Sequence, residues 1–117
     1  MADGPPVLVV ISEDPRASHR ANEAIRIALG VVAGENDVMV VLTGPAVHLL
    51  DEDTDDLVDG DDIAKFRAAL RKLNVPFHIV GTPPSDAEWN VEGHPVVPVD
   101  AGAVAELARR AQRYLVF

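Results

Sequence analysis

The sequence predicts an α/β fold with three layers, α/β/α, around a five-stranded, mostly parallel sheet, its elements in the order βαβαβαβαβ. Three observations carry this reading. Short aliphatic runs at 7–12, 37–44, 75–81, 94–99 and 114–117 are largely continuous rather than alternating, as in strands covered on both faces. The segments between them are of crossover length, so the strands run parallel with right-handed connections. The composition is 48% hydrophobic but only 4% aromatic, which makes the core one of Val, Ile, Leu and Ala. A chain of 117 residues forms one domain, 1–117, with 1–6 as an N-terminal tail, and buries roughly two-thirds of its unfolded surface.

Taken in order, "VLVVIS" is the first strand, bounded by Pro6 and the turn-forming "SEDP". Asp14 is placed to cap a helix whose first position is Pro15, where the missing N–H costs nothing. Ala17, Ala21, Ala24, Ile25, Ala28, Leu29 and Val32 form its apolar stripe, and Gly34 stops it. The second strand, 37–44, leads into a short helix over 45–50. Residues 51–62 are mostly acidic, and a long helix begins near Asp61, capped by Asp61 or Asp62. Ile63, Phe66, Ala69, Leu70 and Leu73 line one of its faces, and Asn74 and Pro76 end it. The third strand is 75–81. A loop, "TPPSDAEWNVEG", leads to 94–99, which Pro98 confines to an edge or short strand because it donates nothing to a ladder. A helix over 101–112 turns Val104, Leu107, Ala108 and Ala111 inward, and "YLVF" is the last strand. In such sheets the ligand mouth lies outside the carboxyl ends of the strands.

The net charge of −9 and the scarcity of aromatic stacking surface disfavour a nucleic-acid partner. With no cysteine, the chain offers no disulfide, thiolate metal site or persulfide of its own. The opening "MADGPPVLVVIS" lacks the basic flank of a signal peptide and is too short to span a membrane, so a soluble, cytoplasmic protein is expected.

The densest cationic spot is Arg16 and Arg20 with Ser18 and His19, read as the first turns of the first helix. A helix N-terminus disfavours positive charge by roughly 0.3–1 kcal/mol per residue, so something acidic compensates. Two readings stand. Free amide N–H groups, the Ser12 or Ser18 hydroxyl and two guanidiniums can hold a phosphate, sulfate or carboxylate. Alternatively, both arginines pair with Glu13, Glu23 or the acidic run, as charged helix faces usually do.

Other motifs are weaker. Asp51, Asp53 and Asp55 alternate like the first ligands of an EF-hand, with Asp62 at the twelfth place, but Asp56 occupies the glycine position and the twelfth ligand is a short carboxylate. A solvated acidic loop is the better account. Glu13 and Asp14 resemble the acidic pair of a phospho-receiver, yet Val80 and Gly81 stand where its phosphorylatable aspartate belongs. Thr43, Gly44, Gly81 and Thr82 can turn amides and hydroxyls toward a ligand at the same edge, without the glycine spacing or lysine of a phosphate loop. Trp89 reads equally as an interface or lid residue and as packing over the sheet edge. His48, His78 and His94 show no metal-ligand spacing, so neither a metal nor a cofactor is expected.

"ISEDPRASHRANEAIRIALGV", "VMVVLTGPAVHLL", the acidic loop, "LRKLNVPFHIV" and "RYLVF" together give the chain a sequence that resembles the DsrE/DsrF-like sulfur-relay family over nearly its whole length. The resemblance implies a five-stranded parallel sheet flanked by helices and assembly into homo- or hetero-oligomers. In sulfur-carrying members it implies a persulfide cysteine at or just after the third strand. Here that region is Ile79, Val80, Gly81 and Thr82, so the carrier role transfers to no residue. The expectation is a non-catalytic protein with no catalytic residue, binding a small anion or a protein partner at a mouth formed by Ser12, Arg16, Ser18, His19, Arg20, Thr43, Gly44, Gly81 and Thr82. The alternatives are an accessory subunit beside a cysteine-bearing sulfur-relay partner, and a structural oligomerisation module.

Overall fold

A computed structural model describes residues 6–111 and 113–117. The tail expected at 1–6 and the end of the last helix at Gln112 therefore fall largely outside the described residues. The strands are β1 (Val7–Ile11), β2 (Val38–Leu42), β3 (Phe77–Val80), β4 (Val96–Val99) and β5 (Arg113–Val116). The helices are α1 (Arg20–Ala33), α2 (Gly60–Lys72) and α3 (Ala101–Arg110), and a 3₁₀ helix spans Gly44–Leu50. All pairings are parallel, in the order β4-β3-β2-β1-β5.

β1 lies inside the sheet, between β2 and the edge strand β5, and all five of its residues are buried, which explains its unbroken aliphatic composition. Strand alternation divides the core in two. Val7, Val9, Ile11, Val40, Leu42, Phe77 and Ile79 meet α1, α2 and the 3₁₀ helix, while Leu8, Val10 and Val41 meet Val104, Leu107, Ala108 and Ala111 of α3 and its end. Two helices and a 3₁₀ helix thus cover one face of the sheet, and α3 covers the other.

The third crossover, from β3 to β4, holds no helix. Instead it forms an isolated antiparallel bridge, Asp51 with Trp89, to the segment after the 3₁₀ helix. Pro98 sits in β4, at the edge of the sheet as its missing N–H requires.

Three local expectations change. First, α1 begins at Arg20 rather than at Pro15, and its N-cap is His19. The Asp14 carboxylate accepts from Arg16 N at 2.9 Å and its carbonyl accepts from the amides of Ala17 and Ser18, closing a separate turn before the helix starts. Ala17 therefore lies outside the helical stripe, and the buried positions of α1 are Ala21, Asn22, Ala24, Ile25 and Ala28.

Second, neither Asp61 nor Asp62 caps α2. Both lie inside its first turn, where their charge suits the helix dipole, and the N-cap is Asp59 at φ 58°, with no side-chain cap bond. A side-chain cap needs extended backbone at that residue, which Asp59 does not have. Third, β3 is shorter than 75–81. Asn74, at φ 59°, closes α2, and the Val75 amide still bonds to Leu70 of that helix.

No helix among the described residues is long and apolar enough to cross a membrane.

Two glycines give opposite expectations. A Cβ on Gly60 would overlap the Thr54 carbonyl, so Gly60→Ala should lower stability by about 3 kcal/mol in urea unfolding. Gly30 lies within α1 with nothing within 4 Å of such a Cβ, and Gly30→Ala should raise stability by about 0.5–1 kcal/mol in the same assay.

Candidate functional site

Ser12, Thr43 and Gly81 follow the carboxyl ends of β1, β2 and β3, so the fold sets the sequence-predicted residues along one edge of the sheet. Many of their polar groups are already engaged there. Ser12 Oγ donates to the Phe117 carbonyl at 3.2 Å, and Ser18 Oγ accepts from Arg20 N at 3.1 Å. Arg16 forms a two-pronged ion pair with Asp14, its Nη2 2.9 Å from Oδ2, and this pairing holds the Asp14 carboxyl below its ordinary range. Arg16 thus pairs with Asp14 and not with Glu13, Glu23 or the acidic run.

Arg20 is the first residue of α1 and donates to the Val116 carbonyl at 3.2 Å, with its guanidinium 5.8 Å from the Phe117 ring centre. His19 is well exposed, 3.5 Å from Glu23. The Thr43 amide bonds to Ile11 and its carbonyl accepts from Ala46, so it serves the start of the 3₁₀ helix. Gly44 and Gly81 take left-handed backbone, φ 53° and 92°, and Thr82 is exposed. These residues share an edge, and none of them lines the acidic cavity beside it.

The cavity on this edge lies one loop over. It measures about 230 Å³ and opens between the segment after the 3₁₀ helix and the β3–β4 crossover. Asp51, Glu52, Asp53 and Asp56 wall one side, Asp86 and Glu88 the other, with His48 and Trp89 between them. His48 Nδ1 lies 2.9 Å from Asp51 Oδ2. The indole of Trp89 is half-buried and donates to the Val47 carbonyl at 2.7 Å, so it packs over the 3₁₀ helix while one face borders the cavity.

A buried cluster holds the crossover in place. Arg67 of α2 is only 2% exposed; its Nη1 donates to the carbonyls of Leu49 and Asp51, each at 2.8 Å, and its Nε to Glu92 at 3.0 Å. Glu92 also meets His94 Nε2 at 2.9 Å, and Arg71 donates to the Glu92 carbonyl. Burial pushes the Glu92 carboxyl up, but the contacts with His94 and Arg67 outweigh it and leave it below the ordinary value. Burial lowers the His94 imidazole, only partly opposed by Glu92, and it lowers His78 of β3 as well. Among the described residues, no group of three or more His, Cys, Asp or Glu side chains is gathered to hold a metal ion.

The family model for the DsrE/DsrF-like family matches residues 6–117. The chain belongs to this family. Among solved structures it is similar to the ychN protein of E. coli, at 20% identity and a TM-score of 0.70, over 97% of this chain and 99% of that one. That likeness concerns the fold. No curated protein sequence matches the chain. This DsrE/DsrF-like chain keeps the family's sheet while carrying no cysteine, and past β3 its backbone turns at Gly81 into an exposed threonine.

Sequence reasoning missed Arg67 as an organiser and His48 and Trp89 as cavity walls. Arg67 offered one signal. It sits between Phe66 and Leu70 on a helix face that must otherwise be apolar, and an arginine there needs buried acceptors.

Arg67→Met should cost about 2–4 kcal/mol in urea unfolding and shift the emission of Trp89, the single tryptophan, to the red as the crossover loosens. Arg67→Lys should recover less than half of that loss, since one ammonium cannot serve all three acceptors. Because both imidazoles are depressed in the folded state, the unfolded chain binds their protons more tightly. Stability should be full above 6.5, their ordinary value, and fall as pH drops below it, with Glu92 adding a further loss below 4.5. Urea titrations at pH 7.5, 6.5, 5.5 and 4.5 measure this slope, and His78→Leu should flatten its upper part.

Proposed function

We propose that this DsrE/DsrF-like chain acts by recognition and carries no sulfur itself. It would serve beside a cysteine-bearing partner in a sulfur relay, docking that partner on the carboxyl edge of its sheet. The observation behind this reading is the turn after β3. Where sulfur-carrying relatives are expected to hold a thiolate, this chain has Gly81 and Thr82, and no other residue can replace a cysteine as the sulfur nucleophile of a persulfide relay.

The cavity near that turn supports a basic partner. Six carboxylates on two facing loops repel anions and favour a lysine- or arginine-bearing surface, with the Trp89 ring available to stack on a cationic head group. A small anion at Arg16 and Arg20 is the weaker reading, since Asp14 already neutralises Arg16 and Arg20 is held against Val116 and Phe117. Contacts of this kind act mainly on association rate and partner choice and weaken with salt.

Titration with a lysine-rich peptide should change Trp89 fluorescence, with binding that weakens about tenfold or more between 50 and 300 mM NaCl. Glu52→Gln, Asp53→Asn and Glu88→Gln together should abolish it. Binding of phosphate or sulfate that is lost in Arg16→Ala with Arg20→Ala would overturn the docking reading in favour of the anion. Transfer of sulfane sulfur from thiosulfate by the pure protein would overturn the claim that it carries none.

A further inference from the structure

The two edges of the sheet differ in what they offer another chain. At β4 the Phe77 amide bonds to the Pro95 carbonyl and the Gly81 amide to that of Val99, so Pro98 faces outward, with no N–H to give. That edge is blunted. At β5 the Phe117 amide bonds to Val10 and its carbonyl accepts from Ser12, so by alternation Arg113 and Leu115 also address β1. Tyr114 and Val116 therefore turn their N–H and C=O groups away from the sheet. Among the described residues neither outward N–H has a partner, and the Val116 carbonyl is covered by the Arg20 guanidinium at 3.2 Å.

Apolar surface flanks this edge on both faces. Register puts Arg113 and Leu115 on the α1 face with Val7 and Val9, and Tyr114 and Val116 on the α3 face with Leu8 and Val10. On the first face β5 and α1 border a groove of about 410 Å³, lined by Val7, Ile27, Val31, Asn36, Arg113 and Leu115. On the second, Tyr114 and Val116 are each 50% exposed. An open edge with apolar side chains is a template for another strand, and proteins usually protect it with charge.

Here the charge is positive, in a chain whose net charge is −9. Arg113 begins β5 and Arg20 reaches its far end, and among the described residues neither forms an ion pair. Extended residues rise about 3.3 Å each, so two acids four positions apart on an added strand fall beside both guanidiniums and on the same face. A carboxylate outcompetes a carbonyl for Arg20, because a charge-assisted hydrogen bond is roughly twice as strong as a neutral one. Its arrival frees the Val116 carbonyl for the incoming strand. A second copy of β5 is a poor occupant, since twofold pairing of the two edges sets the arginines of each against those of the other.

We infer that β5 takes an extended segment of another protein, apolar in the middle and acidic at both ends, as a sixth strand of the sheet. Its backbone bonds to Tyr114 and Val116, and its side chains enter the α1 groove on one face and cover Tyr114 and Val116 on the other. Arg20 is the latch. It closes the edge in the free protein and opens it to a carboxylate, which makes the site selective for acidic segments. The occupant is opposite in charge to the partner proposed for the acidic cavity, and the site does not rest on that reading.

The probe is the peptide acetyl-Ser-Glu-Val-Ile-Val-Glu-Ser-amide, titrated into the full chain labelled with nitrogen-15 for NMR. Saturable shifts of the Arg20, Tyr114 and Val116 amides are expected, with hydrogen exchange at Tyr114 and Val116 slowed at least about tenfold. Lysine in place of both glutamates should weaken binding at least about tenfold, and Arg20→Ala with Arg113→Ala should erase that preference. Val116→Pro should abolish binding while circular dichroism stays unchanged, because the N–H it removes makes no bond to β1. No binding at about 1 mM peptide would overturn the inference. Binding that survives Val116→Pro would overturn strand addition in favour of side-chain contacts in the groove alone. A fall in sedimentation mass on Val116→Pro would overturn it in favour of a second copy at this edge.

Discussion

The buried guanidinium of Arg67 is the interaction on which the working half of the molecule depends. A parallel crossover normally returns through a helix whose apolar face packs on the sheet, and a structureless connection of comparable length is uncommon in a compact domain. The β3–β4 connection has no helix. Arg67 supplies a substitute for that missing packing by reaching two carbonyls at the end of the 3₁₀ helix and the carboxylate of Glu92 at once. The bridge between Asp51 and Trp89, the indole bond to Val47 and the Asn90–His94 contacts then follow, because the loop has been brought within reach. The cavity on the carboxyl edge lies between two loops fastened together by this buried cation and by the backbone bonds of Glu52 to Glu88 and of Asn90 to Leu50.

This arrangement also explains the behaviour expected in acid. Arg67 and His94 are buried and meet at the partly exposed carboxylate of Glu92, so the protonation of His94 and of Glu92 is tied to the position of the crossover. Protonating His94 puts a second positive charge beside Arg67 with only Glu92 to balance both. The strain falls on the segment that borders the cavity, so the same residues that fix the site give it its sensitivity to pH.

Much of the architecture was legible in the sequence, and what escaped has physical causes. The unbroken run of β1 and the three- and four-residue steps of α2 gave the sheet and its main helix cover, because burial on both faces or one leaves a period that composition alone reveals. The start of α1 escaped because Asp14 and Pro15 carry the chemistry of a helix cap and of a tight turn alike. Pairing with Arg16 chose the turn, and no local rule weighs that contact. The start of α2 escaped for a similar reason, since several aspartates in a row each qualify as a cap, while the helix begins at Gly60, where a Cβ would overlap the Thr54 carbonyl. The candidate site was read as a mouth at one helix end and the ends of three strands, whereas the cavity lies between two loops whose lining residues are 28 or more apart in sequence. Loop-to-loop packing of that range leaves no period to detect.

The distribution of charge gives the fold two unlike surfaces. Carboxylates crowd the loops that follow β2 and β3, and little positive charge remains free among them once Asp14 has taken Arg16. The α3 face is apolar, close to neutral and graded in sign along its helix. The carboxylates gathered on the edge repel one another and any like-charged surface, so the edge and the α3 face differ in the contacts they favour.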